Sequence, residues 1–166
     1  MDAILNRKSI RKYKDISVSD EMVEELLKAG MAAPSAGNEQ PWEFIVLRDK
    51  EIMRKITEVH PYSKMLLNTD VVIIVCGDES KEIFKGFWVQ DCSAATENIL
   101  IAAEDNGLGA VWLGVYPMVD RVDGIKEILN LPSSVIPLSI IPVGYPDEER
   151  KPEDRFNKAR IHYDRW

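Results

Sequence analysis

Cysteine and histidine are scarce in this chain, with two of each among 166 residues. Cys76 and Cys92 show no C-x-x-C spacing, which excludes a disulfide framework and a zinc knuckle, and both read as small buried apolar side chains. His60 stands before Pro61 in a turn and His162 near the end of the sequence, both read as structural or solvent-facing. Neither neighbours a G-x-S-x-G elbow or a set of ligand-spaced carboxylates, so a Ser-His-Asp hydrolase and a histidine metal site fall away. Long apolar runs are missing too. The longest, Val71–Cys76, is far short of the roughly 20 residues that cross a bilayer. The opening MDAILNRKSIRKY offers only Ala3-Ile4-Leu5 where a secretion signal needs an apolar stretch of about 7–15 residues. The expectation is a cytoplasmic protein with no membrane partner. Net positive charge is also lacking: 21 Lys and Arg stand against 28 Asp and Glu, a net charge of −7, which argues against a nucleic-acid partner. There is no G-x-x-x-x-G-K-[ST] phosphate loop, and after Gly107 and Gly109 the third glycine of a dinucleotide fingerprint is replaced by Trp112.

What is present is the balance of a globular domain, 45% hydrophobic and 30% charged, without repeats or a dividing linker, so residues 1–166 read as a single domain. Its charge is unevenly placed. Residues 1–14 hold five basic side chains against Asp2, and residues 150–166 hold six against three acids, leaving the middle strongly acidic. Both ends also carry apolar and aromatic residues, Ile4, Leu5, Ile10 and Tyr13 at one and Phe156, Ile161, Tyr163 and Trp166 at the other. A free tail lacks that density, so both ends are expected to pack on the body and, if adjacent, to form an anion site.

Periodicity places a short helix over 2–6 and a second from the Ser19 N-cap, with Met22, Val23, Leu26, Leu27, Gly30 and Met31 on one face. A strand over 42–48 and a helix over 49–60 follow the loop APSAGNEQP. Residues 70–77 are apolar at successive positions and read as a central strand covered on both faces. A long Ala- and Ser-rich helix over 87–106 ends at Gly107, and a strand over 110–115, a helix over 119–130 and a strand over 138–145 complete the body. The expected architecture is α+β, an α/β three-layer sandwich with a mixed central sheet flanked by helices.

Two segments suggest chemistry. In NRKSIRKY the alternate residues Arg7, Ser9 and Arg11 project to one side of an extended chain, with Lys8 between them, and two guanidiniums and a hydroxyl suit a phosphate. Taken singly, the segment also fits a solvated tail. The loop Pro34–Trp42 is stiffened by two prolines, and Asn38 and Gln40 offer donor and acceptor together, as the edge of a heterocycle requires. Taken singly, it also fits a structural turn.

In their order along the chain, Arg7-Lys8-Ser9-Ile10-Arg11, Pro34-Ser35-Ala36-Gly37-Asn38-Glu39-Gln40-Pro41-Trp42, Gly107-Leu108-Gly109 through Gly114, and Lys158-Ala159-Arg160 resemble the motifs of the FMN-dependent nitroreductase family. The resemblance spans nearly the whole sequence. It implies a nitroreductase-like fold in a domain-swapped type of homodimer with FMN at the subunit interface. Arg7, Lys8, Ser9 and Arg11 would hold the phosphate, joined by Arg160 and Lys158. Pro34, Ser35 and Asn38 would reach a flavin bound mainly by the partner subunit, and the backbone of Leu113 and Gly114 would approach the reactive N5 edge.

The resemblance further implies an NAD(P)H oxidoreductase that delivers hydride by way of FMN to an electron-poor small molecule such as a nitroaromatic or quinone. NAD(P)H would be a transient reductant, in keeping with the missing nicotinamide fingerprint. No catalytic acid or base and no metal is required, because the cofactor carries the chemistry. The short stretch between Pro61 and Phe87 implies an exposed site. The alternatives from another class are a flavin-binding or flavin-storing dimer with little turnover, and a module for some other phosphorylated ligand.

Overall fold

The computed structural model describes residues 1–166. Helix α1 (Asp2–Asn6) leads into an extended arm, and α2 (Asp20–Met31) begins where the Ser19 side chain accepts from the Met22 N–H. Strand β1 (Trp42–Leu47) is followed by α3 (Lys50–Val59), whose first turn is capped by the Asp49 carboxylate. Then come β2 (Val71–Asp78), the long α4 (Trp88–Asp105), the short strands β3 (Gly109–Ala110) and β4 (Leu113–Gly114), α5 (Val119–Leu129) and β5 (Val135–Gly144).

The strands form one sheet in the order β1-β2-β5-β3, with β4 also paired to β5. Because side chains alternate across a strand, β2 divides its apolar residues between two cores. Val71, Ile73 and Val75 pack with α2 and α4, while Val72, Ile74 and Cys76 pack with Met53 and Ile56 of α3 and Ile125 of α5. Each buried aliphatic side chain contributes about 1.5–3 kcal/mol, which makes this strand the anchor of both layers. The result is the three-layer sandwich expected from the doubly apolar run.

All ladders are antiparallel, and the sheet is mixed only through the isolated parallel bridge between Ser9 and Ala110. The single strand expected over 110–115 is divided into β3 and β4, which pair with different parts of β5. β5 starts earlier than expected because its register shifts opposite Val75 and Cys76, leaving Leu138 as an extra residue beside Pro137, which has no N–H to donate. The Leu138 carbonyl instead accepts from the N–H groups of Val115 and Tyr116, just after β4.

The two ends behave differently. The N-terminal arm packs: Ile10 and Tyr13 are buried, the Ile10 N–H donates to the Ala110 carbonyl, and the Tyr13 hydroxyl donates to the carbonyls of Ile10 and Pro142. Gly109 permits this approach, since a β-carbon there would lie 2.6 Å from Ile10. The C-terminal segment adjoins α1, where residues 152–156 border a cavity with Ile4, Leu5 and Asn6, but it is not buried on the body as expected. Residues 151–166 are exposed throughout, and Trp166 is fully so.

Candidate functional site

A cavity of about 450 Å³ opens where the N-terminal arm, the turn after α3, the end of β4 and the start of α5 converge. Arg11, Trp112, Leu113 and Gly114, from two separate candidate motifs, line it together. Arg11 is held through its backbone, whose N–H donates to the Glu148 carboxylate at 2.5 Å, and the neighbouring Lys12 N–H donates to the same oxygen. The Arg11 N–H bond is the main reason the Glu148 carboxyl lies below its usual range. The Arg11 guanidinium is left without an ion pair in the chain. At Gly114 an added β-carbon would meet nothing within 4 Å, so the absent side chain leaves open space.

The same cavity is lined by residues that sequence reasoning missed: His60, Tyr62, Lys64 and Arg121. The Arg121 guanidinium lies over the Tyr62 ring at 5.5 Å. His60 is buried, with Nε2 2.9 Å from the Gly114 carbonyl, and Arg121 Nη1 reaches that carbonyl at 2.8 Å. Burial and the Arg121 cation lower the His60 pKa, against the opposing effect of the Gly114 carbonyl. No pattern in the sequence marked these residues, because the contacts join segments that are distant along the chain.

The other candidate residues are placed elsewhere. Arg7 Nε pairs with Glu97 at 3.2 Å and Lys8 Nζ with Glu104 at 2.6 Å, both on α4, while Ser9 bridges to Ala110. Arg7 thereby keeps both terminal guanidinium nitrogens, and Lys8 further protons, for another acceptor. Lys158 and Arg160 lie in the exposed C-terminal segment and line no part of the cavity around Arg11.

Pro34, Ser35 and Asn38 also stand apart from that cavity. Their loop has left-handed backbone at Gly37, Asn38 and Gln40, and the Ser35 hydroxyl accepts from the Gln40 N–H. Ala36 N–H donates to Asp91 on α4, and Glu39 accepts from the N–H groups of Ile83 and Phe84. Nearby, Ile83, Phe84 and Phe87 expose large apolar side chains. Within one chain the loop is therefore a built, outward-facing feature, separate from the Arg11 cavity.

The arrangement offers cations, aromatic faces and an open backbone edge, and it groups no set of residues able to hold a metal. No helix is long and apolar enough to cross a membrane.

Comparison with known proteins gives one consistent result. The family model described as the nitroreductase family matches residues 4–145. A Methanothermobacter thermautotrophicus protein provisionally named NADH dehydrogenase/NAD(P)H nitroreductase is 52% identical over 166 residues, covering 100% of this chain and 87% of that protein. A provisionally named NADH dehydrogenase/NAD(P)H nitroreductase from Parabacteroides distasonis superposes with a TM-score of 0.96 at 46% identity, over 99% of this chain and 97% of its own. An FMN-dependent nitroreductase from Clostridium difficile superposes with a TM-score of 0.92 at 32% identity, covering all of both chains.

Proposed function

This chain belongs to the nitroreductase family, and on that premise we propose that it is an FMN-dependent NAD(P)H oxidoreductase that moves hydride to an electron-poor small molecule, such as a nitroaromatic or a quinone. The observation that carries the reading is the convergence of Arg11, Lys64 and Arg121 with Trp112, Tyr62 and the open edge of Gly114 around one cavity. Its volume of about 450 Å³ lies in the range of small-molecule sites.

The residues fit FMN. A phosphorylated ligand whose ring gains negative charge on reduction suits a cavity lined by three cations and no carboxylate. Planar side chains suit a planar ring, and Gly114 leaves its backbone approachable. When bound, FMN supplies the hydride chemistry.

The protein's contribution is binding, orientation and charge. We assign the phosphate to Arg7, Lys8, Ser9 and Arg11, with Lys158 and Arg160 brought up from a C-terminal segment. Lys64 and Arg121 place positive charge along the cavity wall and favour the reduced ring. The strand end Leu113–Gly114 offers backbone to the reactive edge, so no acid or base side chain is needed.

We read the whole of residues 1–166 as one FMN-binding domain that works as a homodimer. The support is the exposed C-terminal segment, whose Phe156, Ile161, Tyr163 and Trp166 all leave large apolar surface uncovered by their own chain. A second copy would cover them, and would bring Pro34, Ser35 and Asn38 to the partner's flavin. The two free, buried thiols accord with a cytoplasmic setting, where NAD(P)H is supplied.

An absorption spectrum of the protein with FMN, taken before and after anaerobic NADH or NADPH and again after a nitroaromatic or quinone, tests the reading. Loss and return of the flavin band is the expected result. A protein that holds FMN but is reduced by neither nicotinamide is a storage dimer, and one that takes up no flavin overturns the assignment.

A further inference from the structure

The Gly114 carbonyl is bound more heavily than secondary structure requires. His60 Nε2 stands 2.9 Å from it and Arg121 Nη1 donates to it at 2.8 Å. On the other side of the same peptide, the Val115 N–H donates to the bulged Leu138 carbonyl at 2.9 Å. The exit from β4 is thus held from the turn after α3, from α5 and from β5 together.

The bonding of the imidazole restricts its protonation. Nδ1 lies 3.3 Å from the Tyr62 N–H and accepts from it, so Nε2 carries the ring's proton and donates it to Gly114. An imidazolium would present a proton on Nδ1 to the Tyr62 N–H, donor against donor. The groups facing this space are Arg121 from α5, Arg11 from the N-terminal arm, and Tyr62 and Lys64 from the turn after α3. None is a carboxylate, so no negative charge there would stabilise a second proton on the ring.

We propose that His60 and Arg121 form a two-donor clamp on the Gly114 carbonyl, with neutral His60 acting as a positioning residue that sets the pose of the Leu113–Gly114 backbone toward the flavin. This rests on the functional reading above. The clamp works through the backbone: two donors draw charge from the Gly114 carbonyl and fix the strand end in one conformation. A fixed donor edge discriminates between oxidised and reduced flavin, whereas a loose one averages over poses. Protonation of His60 keeps the Nε2 donor but breaks the Tyr62 N–H bond to Nδ1 and adds a positive charge beside the strand end, so the flavin's midpoint potential acquires a pH-dependent step that follows this imidazole.

The test has two arms. In the first, ¹⁵N NMR of His60 in the flavin-free protein is expected to show a protonated Nε2 and a bare Nδ1 at neutral pH. The reverse tautomer or an imidazolium would overturn the clamp whether or not flavin binds. In the second, midpoint potentials of the FMN-loaded protein are measured against pH for wild type, His60→Phe, His60→Gln and Arg121→Met. His60→Phe is expected to change the ratio of affinities for reduced and oxidised FMN about tenfold, or about 30 mV for a two-electron couple, and to lose the pH step. His60→Gln keeps a donor at the Nε2 position, so it restores much of the potential but not the step. Arg121→Met removes the other donor without altering the buried ring, and should shift the potential in the same sense even if His60→Phe fails to fold. Variants that hold FMN at the wild-type potential and pH profile overturn the clamp alone. Wild-type protein that takes up no FMN overturns the functional reading, and with it the clamp's role toward flavin, while the NMR arm still decides the hydrogen bonds.

Discussion

The carboxyl groups of Glu39 and Asp91 face each other beneath the Pro34–Gln40 loop, each keeping one buried oxygen without a hydrogen bond from any other group. Their remaining oxygens fasten the loop: Asp91 accepts from Ala36 N–H at 3.0 Å, and Glu39 from Ile83 and Phe84 N–H at 2.6 and 3.0 Å. Two carboxyls so placed share one proton. Burial raises the pKa of Asp91, against the Ala36 N–H. At Glu39 burial acts against the charge, but the N–H groups of Phe84 and Ile83 outweigh it and hold the carboxyl below its usual range. Of the two, Asp91 is therefore the group that takes up a proton more readily.

A pH dependence of stability follows from these directions. Asp91, raised in the fold, contributes stability that is complete below the ordinary aspartate range and is lost as pH rises through its raised value. Glu39, lowered, contributes stability present above the ordinary glutamate range and lost as pH falls through its lowered value. The loop is held best between the two. Thermal unfolding from about pH 3 to pH 8 should show wild type losing stability as Asp91 ionises, a loss on the alkaline side that Asp91→Asn does not show. Parallel curves would show that no proton is shared.

Arg11→Ala and Arg160→Ala should each weaken FMN binding by about 1–3 kcal/mol, the scale of a lost charge-assisted hydrogen bond. Lys8→Ala, which also breaks the part-buried pair with Glu104, should cost about 0–1 kcal/mol of folding stability in addition. Fluorescence titration of flavin-free protein with FMN, beside thermal melts, separates the two effects. Unchanged affinity in both arginine variants would remove the phosphate assignment.

Two glycines offer a contrast. At Gly114 a β-carbon meets nothing within 4 Å, so Gly114→Ala should fold normally yet bind FMN more weakly, because the methyl enters space left for the ligand. At Gly77 the added carbon would run into the Trp88 indole, so Gly77→Ala should lower the melting temperature through overpacking of about 1–3 kcal/mol. Equal melting temperatures would contradict the packing argument, and undiminished FMN affinity in Gly114→Ala would move the flavin away from that edge.

Cys76 and Cys92 should resist alkylation in the folded protein. Burial pushes the Cys76 thiol up to about 12 and raises Cys92 as well, so neither presents a thiolate near neutral pH. Mass spectrometry after a maleimide pulse should find both free thiols unlabelled until denaturant is added.

Sedimentation should find a homodimer, and removal of residues 151–166 should shift it toward monomer and reduce FMN retention together. A full-length monomer that holds FMN would contradict the assignment of Pro34, Ser35 and Asn38 to the partner's flavin.

The legible parts of this protein were those written in short sequence windows. The six apolar residues Val71–Cys76 announced a strand covered on both faces, and Ser19 announced the start of α2. Arg11, Leu113 and Gly114 could be chosen from their motifs, although only the fold shows them lining one cavity. His60 could not be chosen, because a histidine before proline looks like any turn, and its partner carbonyl lies 54 positions away. Lys64 and Arg121 looked like ordinary surface charge. The apolar residues of the C-terminal segment signalled that they need cover, but composition does not say from which chain, and their own chain leaves them exposed.

The position of β5 has a consequence for biosynthesis. It pairs with β2, β3 and β4, and its Pro142 and Val143 carbonyls accept from the hydroxyls of Tyr13 and Thr69. Yet it spans only residues 135–144, so a ribosome must deliver most of the polypeptide before the sheet has its middle. Until then the nascent chain can pair only β1 with β2, with apolar surface uncovered on both sides. Closure of the domain is therefore a late event in synthesis, and slowing translation before Val135 would lengthen the time in which the unfinished chain depends on chaperones.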